Sequence, residues 1–268
     1  MYRASALLLL IILSSLITLA QPALAQYKKH PGVKPAITLD STRSHFRPTF
    51  NLGSGSVGNY FYPQSLGSSW TMKIVQRLYD QSNRVLSSDS LFSKETVTSN
   101  SAKTFQGLPL ISCKTSSWRI NDLTHVDSAV SSYYVDDSLI MAVFNSSINN
   151  NQNRVLLVSP LKVGNQWRER VEDSARSEIA TMHDTVNVPY GAFGNALVTV
   201  TRLGKIELDK YFVPNVGIVK TITRLPGRKP GETIVVMAEL LELVRGVESD
   251  PGASMDPKSG LADPLVRR

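Results

Sequence analysis

Between Val188 and Lys220 apolar and polar residues alternate in short runs, and each run ends in residues that reverse a backbone. Little besides antiparallel sheet satisfies both conditions. Val188-Pro189-Tyr190-Gly191 carries Pro at the second turn position and Gly at the fourth, the preference of a type I turn. From Ala196 to Leu203 the side chains sort into Leu197, Thr199, Thr201 and Leu203 on one face and Ala196, Val198, Val200 and Arg202 on the other. Leu203-Gly204-Lys205-Ile206 predicts a two-residue hairpin with Gly leading, and Ile206 to Val213 returns. Pro214-Asn215-Val216-Gly217 closes that strand, and Ile218 opens another.

The same grammar extends upstream. Pro63-Gln64-Ser65-Leu66-Gly67-Ser68-Ser69-Trp70 turns into a strand running to Leu78, and Pro160-Leu161-Lys162-Val163-Gly164-Asn165-Gln166-Trp167 repeats its Pro, apolar, Gly and Trp offsets. Pro fixes the entry, Gly permits a backbone angle that other residues resist, and Trp plugs the core. The two copies predict two similar halves, 60–158 and 159–245. Between them lie short runs rich in Thr, Val, Ile, Tyr and Phe: Leu91 to Thr98, Thr104 to Cys113, Ser117 to Asn121, Ser131 to Val135 and Ser138 to Phe144. Asn145 to Asn153 reads as a polar hairpin tip, and Arg154 to Val158 as the strand that returns from it. Val171 to Met182 has a charged, partly helical look, while Ile179 to Val188 fits a strand as well. Thr233 to Arg245, after the Pro226-to-Gly231 loop, is a strand or a strand entering a helical turn; its apolar Ile234 to Ala238 has no period to separate them. The class is all-β or β-dominant, an antiparallel β-sandwich or open half-barrel.

The Pro63-to-Trp70 opening, the Val188-Pro189-Tyr190-Gly191-Ala192-Phe193 turn and the Tyr211-to-Lys220 close, taken together, resemble an uncharacterised group of exported bacterial β-domains. The resemblance covers most of 60–245 and implies a fold and a Gram-negative envelope address, with no reaction attached. More distantly, the group is similar to half-barrel periplasmic proteins that shield apolar ligands on a curved sheet, an analogy of fold.

The N-terminus carries an address of its own. Arg3, an apolar Ala6 to Leu19 and the small-x-small Ala23-Leu24-Ala25 before Gln26 have the layout of a secretory signal peptide, residues 1–25, cleaved between Ala25 and Gln26. The apolar run is shorter than the roughly 20 residues of a spanning helix, and no Cys follows it to carry a lipid, so the expectation is an exported protein, periplasmic or extracellular, that is no lipoprotein. Residues 26–59 are rich in Pro, Gly and Ser and read as a flexible arm or linker; 246–268 reads as a disordered tail. Gly53-Ser54-Gly55-Ser56-Val57-Gly58 spells a dinucleotide fingerprint but lacks the preceding strand and following helix that motif needs. Removing Arg3 leaves 28 of the 29 Lys and Arg against 22 acids, a formal +6. These cations are dispersed, which describes a basic surface and gives no reason to expect nucleic acid. Cys113 is the one cysteine, so no disulfide forms within the chain and a packed core must supply stability; a buried structural thiol is the expectation.

Candidate chemistry is sparse. His30 and His45 lie in the arm, His125 pairs with Asp127 on one face if extended, and His183 adjoins Asp184; none reaches the three or four ligands a metal wants. No cofactor motif or nucleophile elbow is present. Glu207 and Asp209 share a face that alternation places toward solvent. Lys210, Lys220 and Arg224 are the candidate binding residues, three cations able to align on one sheet face and meet an anionic surface. The expectation is a non-catalytic exported binding domain of the envelope, for an apolar ligand or another envelope component. The alternatives are a hydrolase of envelope polymers using the two His/Asp pairs, or a structural module held by its basic patch.

Overall fold

A computed structural model describes residues 56–246, apart from 105, 120–121, 148–149 and 171–173. The signal peptide assigned to 1–25, residues 26–55 of the arm assigned to 26–59 and residues 247–268 of the tail assigned to 246–268 lie outside the described residues. The elements are β1 (Ser69–Tyr79), β2 (Val85–Lys103), β3 (Pro109–Arg119), β4 (Asp122–Val135), β5 (Leu139–Val143), β6 (Arg154–Val158), β7 (Gln166–Arg168), β8 (Arg176–Val188), β9 (Gly191–Leu203), β10 (Ile206–Val213), β11 (Gly217–Pro226) and β12 (Thr233–Val244). All belong to one antiparallel sheet ordered β6-β5-β4-β3-β2-β1-β12-β11-β10-β9-β8-β7. Each half of the chain is a meander, and β1 joins β12, so the chain runs round a nearly closed barrel. Its seam lies between β6 and β7, where the Val155 N–H donates to Glu169 O (2.8 Å) and the Trp167 indole N–H to Val155 O (3.2 Å).

The turn chemistry holds. Leu203 pairs with Ile206 across Gly204 at φ +58°, and Val188 with Gly191 across Pro189 and Tyr190, neither in the left-handed region. Both strand openings also repeat in hydrogen bonds. Gly67 N–H donates to Val97 O, and Val97 N–H returns to Ser68 O; Gly164 N–H donates to Ile179 O, and Ile179 N–H returns to Asn165 O. Gly67 and Gly164 sit at φ +80° and +82°, which is why glycine stands at both. The tryptophans diverge, however. Trp70 is buried in the core, whereas Trp167 is only partly buried and turns to the seam. Pro160 follows a cis peptide bond.

Alternation around the ring separates an inner from an outer face. Inward residues from both halves, among them Ile74, Val97, Cys113, Ile140, Leu157, Ile179, Leu197, Phe212, Val219 and Leu240, form one continuous core and are all essentially inaccessible. Cys113 is thus the buried thiol expected. A second cluster, Leu110, Tyr134, Leu139, Met141 and Val143, occupies the opposite face of β3 to β5.

Three expectations change. The first half contains long strands in place of many short ones: β2 spans 19 residues and β4 spans 14. Ser, Thr and Lys there belong to the strands and do not punctuate them, although the β2–β3 pairing shifts register at Val97/Ser99 and Ser99/Ala102, and the true turn lies at Gly107 (φ +80°), within the run read from Thr104 to Cys113. Of the Val171-to-Met182 stretch, 171–173 lie outside the described residues and Arg176 onward is strand, in β8; Thr233 to Val244 is strand, β12. Finally, the folded part begins before Tyr60. Val57 to Tyr60 is a 3-10 helix capped by Ser56, whose hydroxyl accepts from Gly58 N, and Val57 is fully buried.

Candidate functional site

The segment from Ser56 to Tyr62 ties the two halves together. Toward β4–β5, Val57 N–H donates to Asp137 O and the Ser56 hydroxyl to Asp137 Oδ1 (2.8 Å). Toward β10–β11, Asn215 N–H donates to Asn59 O, and the Tyr62 hydroxyl donates to Ile218 O (2.7 Å). Phe61 and Tyr62 then enter the core. Tyr62 stacks on Trp70 at a centroid distance of 3.8 Å, and Phe61 packs edge-on to Trp70 and 5.1 Å from Tyr133. Gly217, at φ +95°, makes room: a Cβ there would lie 2.5 Å from the Tyr62 ring. Tyr60-Phe61-Tyr62 is the head of this plug.

Beneath the plug lies an unexpected carboxyl. Glu95 on β2 stands directly across from Trp70 on β1, and the Tyr133 hydroxyl donates to its Oε1 (2.9 Å). Burial raises its pKa to about 7, against hydrogen bonds from Tyr133 and Trp70 that lower it. Burial also pushes the Tyr62 and Tyr133 hydroxyls and the Cys113 thiol upward, with the Glu95 charge adding to each. A poised acid therefore sits among groups that hold their protons. Because the folded pKa lies above the unfolded 4.5, the contribution of Glu95 to stability is fully present below 4.5 and is lost as pH rises through about 7. Glu95→Gln is expected to stabilise the protein by about 3 kcal/mol at pH 8.5 and not at pH 4, read from urea midpoints at both pH values.

A second interior cluster lies at the seam. Glu169 Oε1 accepts from Lys210 Nζ (2.7 Å), the Ser177 hydroxyl (3.0 Å) and the Thr201 hydroxyl (2.9 Å), all inward-facing and buried. Burial pushes the Glu169 carboxyl up, but the Lys210 ammonium and its hydrogen bond, with Arg154 and Thr201 behind them, bring it below the ordinary range.

That placement corrects the expected cationic face. Lys210 points inward, whereas Lys220 and Arg224 point outward, because Tyr211 and not Lys210 shares a rung with Lys220. Lys220 is bound to Glu239 (2.8 Å), and Arg224 Nη1 to Glu207 (3.1 Å) and Asp209 (2.7 Å). Glu207 and Asp209 do share the outer face, holding Arg224 between them. Of the histidines, His30 and His45 lie outside the described residues. His125 is on β4, its side chain undescribed, with Asp127 exposed; His183, exposed, and Asp184 are on β8 in the other half. Among the described residues no three potential ligands come together for a metal. No described helix is long and apolar enough to cross a membrane.

Sequence reasoning passed over Glu95 and Glu169. For Glu95 a signal existed, since it alternates in phase with Leu91 and Val97. For Glu169 there was none; its burial follows from seam closure.

No protein-family model matches the chain, and no curated protein is similar to it in sequence. Among solved structures it is similar to a protein of Bacteroides fragilis NCTC 9343 described as exported and with a YmcC-like fold. The two share 13% identity over 69% of this chain and 99% of that one, with a TM-score of 0.39. It is also similar to a protein of Parabacteroides distasonis ATCC 8503 described as a lipoprotein, at 14% identity over 69% and 98% of the two chains, TM-score 0.37.

Proposed function

We propose that the protein is a non-catalytic exported domain of the cell envelope that works by binding, through the outside of its barrel and its loops. One observation carries this reading: the interior is filled from both walls and plugged. Ile74 and Leu240 from the β1–β12 junction, Leu197 and Phe212 from the second half, and Ile140 and Leu157 from the first meet in a single core. Phe61 and Tyr62 fill the space beside Trp70. A carrier of apolar cargo needs a lined cavity in that place. Export rests on the Arg3, Ala6-to-Leu19 and Ala23-Leu24-Ala25 pattern.

Protein purified from its own host, extracted with organic solvent and analysed by mass spectrometry, is expected to release no lipid in molar proportion. A stoichiometric apolar molecule would replace this reading with that of a carrier whose cargo displaces the plug.

A further inference from the structure

The outer face changes character around the ring. On β9 to β12 its charges neutralise one another: Arg202 with Glu207, Arg224 with Glu207 and Asp209, Lys220 with Glu239. On β1 to β4 they do not. Register places Lys73, Phe92 and Trp118 on one rung, Lys94, Ser116 and Ser128 on the next, and Thr96, Lys114 and Val130 on the one after. Arg77 continues the β1 row beyond Val75. No carboxylate occurs among the described outward side chains of these four strands. Two carboxylates border β1 from β12: Glu239, beside Lys73, is bound to Lys220, and Glu242, beside Thr71, accepts from the Thr71 hydroxyl (3.2 Å).

Between these cations the face is apolar. Phe92 and Trp118 pair at a centroid distance of 6.0 Å, both partly open to water. Val126 and Val130 are 56% and 74% exposed, although β-branched residues on a soluble sheet are ordinarily covered. Four strands at the usual spacing make the patch roughly 15 Å wide.

We propose that this face docks on an anionic phospholipid surface, with Trp118, Phe92, Val126 and Val130 at the headgroup boundary and Lys73, Arg77, Lys94 and Lys114 reaching the phosphates. The proposal rests on the reading of the protein as an outward-binding envelope domain and names its partner. An indole and a phenyl ring flanked by long-stemmed cations is the composition that lipid interfaces favour, the rings at headgroup depth and the ammonium groups extended to the charged layer. An acidic protein would satisfy the lysines, but protein interfaces tend to be depleted in Lys, whereas an anionic bilayer attracts each one.

The test is co-sedimentation of the host-processed protein with vesicles. At low salt it binds phosphatidylglycerol-rich vesicles and not phosphatidylcholine vesicles, and 500 mM salt releases it. Lys94→Gln with Lys114→Gln weakens binding about 30-fold, since each basic residue near such a surface contributes about fivefold. Lys205→Gln with Lys229→Gln, equal in charge but on the other half, leaves binding within about twofold. Brominated lipid quenches Trp118 fluorescence, and the quenching is lost in Trp118→Phe. Equal binding to neutral vesicles, undiminished binding of the Lys94/Lys114 variant, or equal loss in the Lys205/Lys229 control would each overturn the proposal. So would capture of an acidic protein by this face with vesicles ignored. None of these outcomes bears on whether the interior carries a lipid, so the envelope-binding reading stands or falls by its own measurement.

Discussion

Glu169→Ala lowers the free energy of unfolding by about 3–5 kcal/mol, because it strands the Lys210 ammonium inside the barrel with no counter-ion and deprives the Ser177 and Thr201 hydroxyls of their acceptor. Both members of the pair are under a tenth exposed, so water offers Lys210 little compensation. Removing the pair together, Lys210→Met with Glu169→Leu, recovers most of the loss, as replacement of buried ion pairs by apolar residues commonly does. Urea denaturation of the three proteins at pH 7 measures this; equal midpoints for Glu169→Ala and the wild type would show the seam cluster to be energetically idle. The pH sign is opposite to that of Glu95. The lowered carboxyl of Glu169 stabilises above its unfolded pKa, and the contribution is lost as pH falls through the folded value. Acid therefore loosens the seam, while alkali loads the carboxyl beneath the plug.

Trp70→Ala has a comparable effect, about 3–5 kcal/mol, the range for emptying a large aromatic site in a core. Its consequences are local as well as global. Tyr62 loses the ring it stacks on and Phe61 its edge-on partner, so the Ser56-to-Tyr62 segment loses part of its apolar hold while keeping Val57, the Phe61–Tyr133 contact and the hydrogen bonds to Asp137 and Asn215. Limited proteolysis cuts this segment faster in the variant. Trp167→Ala, at the partly buried equivalent position, costs clearly less. Equal losses at the two sites would mean that the repeated spelling marks equal structural roles, contrary to the diverging burial of the two rings.

How far the sequence could be read depended on what each residue had to accomplish. Turns were legible wherever a residue was chosen for its backbone: Gly67, Gly164, Gly204 and Gly217 all adopt positive φ. Strand faces were legible wherever alternation was clean, as in β9. Lengths were not legible in β2 and β4, where Ser, Thr and Asn belong to a strand with one wet side and look the same as loop residues. Lys210 was misplaced by its charge. Its phase with Leu208 and Phe212 put it inside, but an inward lysine makes sense only with Glu169, 41 residues away, and nothing local links the two. The plug was hidden for a related reason, since Ser56 to Tyr62 has no period and gains its structure from turns on opposite halves of the ring.

The adjacency of β1 and β12 governs how the molecule comes into being. Ser68 and Gly246, hydrogen-bonded at that junction, are 178 positions apart, whereas nearly every other strand pair can zip from a nearby hairpin. Loop-closure entropy is thus concentrated in one late event, and the two meanders must wait, each with a raw edge, until the last strand arrives. A chain halted before Thr233 would leave one edge of β1 and one edge of β11 unpaired, two adhesive borders inviting association with other copies, so the final dozen residues of the sheet act as the safeguard against that association.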